Sequence, residues 1–236
     1  MEDYKADVFI NELEQHQNEN DVERMKRFFK DSDPHTLCLG LHMKTVFQTA
    51  KRFIKMPLSE IEKLLESPYY EVRMGAVSIM DFQAKQRKLS QDTRKALFDL
   101  YIHRHDRINN WDFVDRCAPS VIGKYLLDRP RDILYSLARS TNKWERRTAI
   151  VSTYAFIKQD ELDDTFRIAE LLIADEEELI QKAVGSWIRE AGKRNDAKLK
   201  AFLDQHAQEM SRMTLRMAVE KFNNETKQYY LSIQSK

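Results

Sequence analysis

The chain has 236 residues, 42% of them hydrophobic and 33% charged, with a formal net charge of +1. That length holds one extended domain or two small ones, and the composition suits a soluble protein able to bury a core. No apolar run approaches the ~18 residues needed to span a bilayer, and Met1-Glu2-Asp3-Tyr4-Lys5 lacks the apolar segment of a secretory signal. Cys38 and Cys117 are far apart and in no metal-ligand spacing, which fits a reducing cytosol and offers no disulfide framework. A near-neutral chain can still bind nucleic acid if its charges are segregated. The acidic run Asp175-Glu176-Glu177-Glu178, followed by Lys193, Arg194, Lys198 and Lys200, is open to that reading or to one of solvated helix faces.

Five glycines and five prolines are little punctuation for a β-rich chain. Apolar residues recur at three and four, not two, so the fold is expected to be all-α. Helices are expected at about 4–17, 21–30, 42–55, 58–66, 70–87, 91–102, 109–117, 120–128, 131–140, 144–158, 161–174, 177–192, 196–208 and 211–223. Pro57, Pro68, Pro119 and Pro130 fall at or just before expected helix starts, where a missing N–H costs nothing. Asp31-Ser32-Asp33-Pro34 reads as a loop. The tail from Gln228 is expected to fray.

Paired helices carry an internal repeat. Glu71-Val72-Arg73-Met74-Gly75-Ala76-Val77, Glu145-Arg146-Arg147-Thr148-Ala149-Ile150 and Ile180-Gln181-Lys182-Ala183-Val184 each set a cation ahead of an Ala-Val or Ala-Ile pair. The alanines lie 73 and then 34 positions apart. Such periods predict a curved α-α superhelix, a solenoid of HEAT-like hairpins occupying residues 1–236 as one domain. The concave side of such a stack suits a long ligand.

There is no Gly-rich phosphate loop, no G-x-S-x-G elbow and no H-E-x-x-H. His103 and His105 would point to different faces of a helix, and a metal held from a loop would want further ligands. No metal or organic cofactor is implied.

The stretch Asn109-Asn110-Trp111-Asp112-Phe113-Val114-Asp115-Arg116-Cys117 is the most pointed. As a helix it puts Phe113, Val114 and Cys117 on one apolar stripe, with Trp111 and Asp115 four apart on a neighbouring face. A ring and a carboxylate would stand side by side off the core. The plain alternative is a Trp at the shoulder of the core and an Asp paired with Arg116 or Arg147.

Trp111-Asp112-x-x-Asp115, Trp144-Glu145-Arg146-Arg147-x-Ala149-Ile150 and Gln181-Lys182-Ala183-Val184-Gly185-x-x-x-Arg189-Glu190 follow in that order. This succession resembles the DNA alkylation repair family, the AlkD-like DNA glycosylases built from HEAT-like repeats. The likeness spans nearly the whole chain and is densest from Asn109 to Phe222. It implies a DNA glycosylase that hydrolyses the N-glycosidic bond of cationic N3- or N7-alkylated purines in duplex DNA. Such a protein would act as a cytoplasmic monomer, nucleoid-associated when bound. Carried over by position, Trp111 matches the family's first aromatic and Asp115 its carboxylate. Arg147 matches a cation that contacts the DNA backbone, and Lys182, Ser186, Trp187 and His42 complete the DNA-binding set. Phe28 falls near another amino-terminal contact, with plain core as its alternative.

One departure stands out. The family's second aromatic follows the glycine equivalent to Gly185, and Ser186 occupies that place here. Trp187 comes one residue later, a rotation of about 100°. Periodicity aligns Trp187 with Ile180, Ala183, Val184 and Ala191, a core stripe, and Ser186 with Lys182, Arg189, Glu190 and Lys193, a polar face. A DNA-binding relative without chemistry and a HEAT-like scaffold for a protein partner are the competing functions. Trp111, Asp115 and Arg147 together favour the enzyme.

Overall fold

The computed structural model describes residues 4–26 and 35–233. Phe28, the Asp31–Pro34 loop and the end of the helix expected over 21–30 lie outside the described residues. The named elements of the described residues are helical, and an isolated parallel bridge joins Leu37 to Tyr69. The chain divides into two compact units, Met1–Tyr125 and Leu126–Lys236.

In the first unit, α1 (Ala6–Glu14), α2 (Glu19–Lys26), α3 (Met43–Arg52), α4 (Leu58–Leu65), α5 (Tyr70–Ala84), α6 (Gln91–His103) and α7 (Trp111–Ala118) follow one another. Pro57 stands at the start of α4 without a side-chain bond, and Ser90 caps α6, its hydroxyl accepting from the Thr93 amide at 3.1 Å. Helix α5 is the centre, packed against α3, α4, α6 and α7 and buried along all but one of its residues, Phe82. A helix buried on every side must satisfy its own polar residues, and α5 does so by stapling its neighbours. Arg73 donates to Asn109 and Thr36, Ser78 accepts from Arg116, and Asp81 accepts from Lys85 and Ser120. Gln83 donates to the carbonyls of Ile54 and Met56.

Glu71, also on α5, holds the loop before α3. Its carboxylate accepts the amides of Leu39, Gly40 and Leu41 and the thiol of Cys38. Three successive amides converge on it because Gly40 sits at φ +77°, a conformation glycine adopts without strain. Burial and the Glu71 carboxylate push the Cys38 thiol up to about 12.

Two expected helices differ in detail. After Pro119 the chain makes a π-helical turn, Pro119–Gly123, with the Lys124 amide reaching back to the Pro119 carbonyl at 3.1 Å, and then plain turns where a helix over 120–128 was expected. The Ser120 hydroxyl bonds the Cys117 carbonyl and the buried Asp81 there, which draws the backbone out of α-helical register.

In the second unit run α8 (Asp132–Ala138), α9 (Lys143–Ser152), α10 (Tyr154–Ile157), α11 (Asp163–Leu171), α12 (Glu178–Gly192), α13 (Asp196–His206), α14 (Arg212–Ala218) and α15 (Asn224–Ser232). The helix expected over 144–158 breaks at Thr153, where the Ser152 and Thr153 hydroxyls bond the carbonyls of Thr148 and Ile150. Here α12 is the centre, packed on α9, α11, α13 and α14. Gly185 permits its close crossing with α14, since a Cβ there would meet the Thr214 carbonyl oxygen at 2.6 Å. Where fraying was expected, α15 runs on to Ser232, because Tyr230 is buried and its hydroxyl donates to Asp204 at 2.8 Å.

The repeat seen in the sequence has a physical content. Ala76, Val77, Ala149, Ile150, Ala183 and Val184 are all buried. The cations ahead of the first two pairs act as clamps within their own units: Arg73 as above, and Arg146 on Asp175 and on the carbonyls of Ser140 and Thr141.

Candidate active site

Helix α7 begins at Trp111, whose amide donates to the side-chain oxygen of buried Asn110 at 2.8 Å. Phe113, Val114, Cys117 and Ala118 are buried, while Trp111 and Asp115 are half-buried. The helix thus turns its apolar stripe into the core and leaves the ring and the carboxylate at the edge.

Behind that face lies a layered support. The Tyr70 ring stacks on Phe113, centroids 5.3 Å apart and planes 25° from parallel. The Arg73 guanidinium lies 5.3 Å from the centre of the same Phe113 ring and donates to Asn109 at 2.8 Å. Tyr70 donates its hydroxyl to Asp112 Oδ2 and its amide to the Leu37 carbonyl. Burial raises the carboxyl of Asp112 to about 7, against the pull of the Tyr70 hydroxyl and of the Asp112 and Phe113 amides, and the charge of Asp115 adds to the rise. Burial and Asp112 also push the Tyr70 hydroxyl well above its ordinary range. Tyr70 and Arg73 were not singled out as site residues from sequence, because only the packing of α5 on α7 brings them there. Asp112 had a signal: it sits directly after Trp111, at the second position of a helix.

Arg116 is turned to other work. It bonds Ser78 at 3.1 Å and Asp81 at 3.3 Å, between the rings of Phe47 and Phe82. Among the described residues no group of three His, Cys, Asp or Glu could hold a metal ion. His103 is exposed, and His105 is buried against the Tyr101 ring.

The remaining predicted residues are distributed as follows. His42 is exposed ahead of α3, 3.4 Å from Arg24 and 3.7 Å from Asp21. In the second unit, Arg147 is 5% exposed, and Nη1 donates to the Leu179 carbonyl at 2.5 Å. That burial sets a guanidinium apart from the solvated cations that usually meet phosphate. Lys182 is half-buried and paired with Glu178 on α12, and Ser186 lies half-buried one turn further on. Trp187 packs against Ile157, Leu162 and Ala191, meets Tyr154 edge-on at 6.2 Å, and donates its indole N–H to the Val151 carbonyl at 3.0 Å. Its rotation away from the Ser186 face is the one that periodicity predicts.

An all-helical protein with an aromatic–carboxylate pair at the edge of a packed helix is the class these features define. The model of the DNA alkylation repair enzyme family matches residues 9–222, and the chain belongs to that family. In fold it is similar to a solved structure described as a predicted DNA alkylation repair enzyme from Enterococcus faecalis. That likeness has a TM-score of 0.71 at 18% identity, over 88% of this chain and 97% of that one. No curated protein matches. No helix among the described residues is long and apolar enough to cross a membrane.

Proposed function

We propose that the protein is a DNA glycosylase that hydrolyses the N-glycosidic bond of cationic N3- or N7-alkylated purines in duplex DNA. On this reading its helical hairpins are HEAT-like repeats of one domain, acting on DNA as a monomer. The supporting observation is the placement of Trp111 and Asp115, four apart and half-buried, on a helix whose other face is core. An alkylated purine already carries positive charge, so the bonding electrons of the glycosidic bond leave with a neutral base and no acid is needed. The cost falls on the deoxyribose, which becomes an oxocarbenium-like cation. Asp115 stabilises that cation and orients the water that adds to it, the water's proton passing to the carboxylate or to solvent. Trp111 presents an electron-rich face to the cationic charge. His42, Lys182 and Ser186 are the accessible DNA-contacting positions.

A binding function without chemistry is the second reading. It is favoured by Trp187, half-buried, held by Val151 and packed against the core where the family pattern has a second aromatic on the Ser186 face. Single-turnover release of N7-methylguanine from duplex DNA separates the two. The wild-type protein should release the base, and Asp115→Asn should do so about 10²-fold more slowly with DNA affinity held or raised. Equal release by Asp115→Asn would remove the carboxylate from the chemistry. Tight binding with no release by the wild type would establish the second reading.

A further inference from the structure

We propose that Asp112, fixed by Tyr70, is a second functional carboxylate of α7: a positioning residue that sets the negative charge beside Asp115 during base release. The inference rests on the glycosylase reading and adds a residue to it.

Asp112 follows Trp111 directly and precedes Asp115 by three residues, so the two carboxylates share one edge of the helix. The Tyr70 hydroxyl that holds Asp112 cannot easily move: Tyr70 is 1% exposed, stacked on Phe113 and tied through its amide to Leu37. Asp112 Oδ1, in contrast, is buried and has only the Asp112 and Phe113 amides beside it, neither aligned as a hydrogen bond of normal geometry. A buried acceptor left so is unfavourable for folding. An asparagine or a backbone carbonyl would satisfy Tyr70 equally well. The carboxylate is therefore more than a structural partner needs to be, and it stands one turn from the residue proposed to stabilise the sugar cation.

The other titratable and charged groups brought to this region are Glu71 and Arg73 from α5, Cys38 from the loop before α3, and Arg116 on α7. Glu71 is bound to the loop amides, Arg73 to Asn109 and Thr36, and Arg116 to Asp81. Burial leaves Asp112 protonated below about 7. Below that pH Asp112 adds no charge to this edge. Above it Asp112 gives its proton to water and adds a second negative charge to the field felt by the sugar cation. The release step should then quicken on the order of tenfold through neutrality.

The test is single-turnover release of N7-methylguanine from duplex DNA between about pH 5.5 and 8.5, with carbon NMR titration of the Asp112 carboxyl in the free protein. The wild type should show the rise, and Asp112→Asn should lack it. Tyr70→Phe, the milder change, should move the midpoint upward in both readouts, because it removes a hydrogen bond that favours the charged form; a merely structural role would not move it. An Asp112→Asn profile that keeps the rise, or an Asp112 carboxyl that titrates in the ordinary carboxylate range, overturns the proposal alone. A wild type that releases no base at any pH overturns the glycosylase reading and this inference with it.

Discussion

Glu71→Gln tests how the loop before α3 is held. The Glu71 carboxylate is 0% exposed, and Oε1 accepts from Gly40 at 2.9 Å, Leu41 at 3.1 Å and the Cys38 thiol at 3.0 Å, with Leu39 on Oε2 at 3.0 Å. A glutamine keeps one carbonyl oxygen for Gly40 and Leu41, but its amide group must face the Leu39 N–H, donor against donor. The bond to Leu39 is lost, a buried N–H is left without a partner, and the surviving bonds lose their charge. Charge-assisted bonds contribute about 1.5–3 kcal/mol each and an orphaned donor costs about 1–3 kcal/mol, so the loss should be about 2–5 kcal/mol. For a chain of this size that lowers Tm by roughly 5–15 °C. Thermal unfolding measures the total, and hydrogen exchange at Leu39, Gly40 and Leu41 locates it; all three amides should lose protection before those of α5. A variant within about 0.5 kcal/mol of wild type, with the amides equally protected, would refute the account of the carboxylate as the anchor of this loop.

Trp187→Phe removes the hydrogen bond to Val151 and part of a packed ring, so it should cost about 1–3 kcal/mol in urea or thermal unfolding while base release changes less. Normal stability with lost activity would place the indole in the site. Arg147→Ala should destabilise the protein by about 1–3 kcal/mol through the lost bond to Leu179. If the salt dependence of DNA binding is also unchanged, Arg147 leaves the DNA-contacting set, whereas a slope smaller by about one would add a phosphate contact. Asp112 gives a pH test of stability. Its carboxyl rises from 3.8 to about 7 on folding, so between those values the folded state holds a proton the unfolded state has released. Wild-type stability should therefore fall as pH rises across that window, and Asp112→Asn should lack that part of the slope. The stability of Asp112→Asn relative to wild type, from urea midpoints at about pH 4.5 and 7.5, should increase with pH; a constant difference would refute the buried-acid assignment.

Periodicity alone determined the helical class, the apolar stripe of α7 and the rotation that separates Trp187 from Ser186. These are properties of one helix, set by 3.6 residues per turn and by which side chains water excludes. The spacing of the Ala-Val and Ala-Ile pairs likewise marked buried positions, since a small residue beside a branched one suits helix-on-helix contact. The order of aromatic, carboxylate and glycine motifs was enough to identify the family. Tertiary structure decided the rest. Residues 144–158 split at Thr153 through two hydroxyl-to-carbonyl bonds, and the helix expected over 120–128 gave way to a π-turn at Pro119–Gly123 and plain turns, through Ser120 and Asp81. The chain stayed helical as far as Ser232 because Tyr230 found Asp204. Each outcome rests on a partner distant in sequence or on a side chain competing for the backbone, which a pattern of hydrophobicity does not encode. The same holds for the support of the candidate site. Nothing in the neighbourhood of Asp112 in the sequence indicates Tyr70, 42 residues away, because their meeting depends on α5 and α7 packing around Phe113.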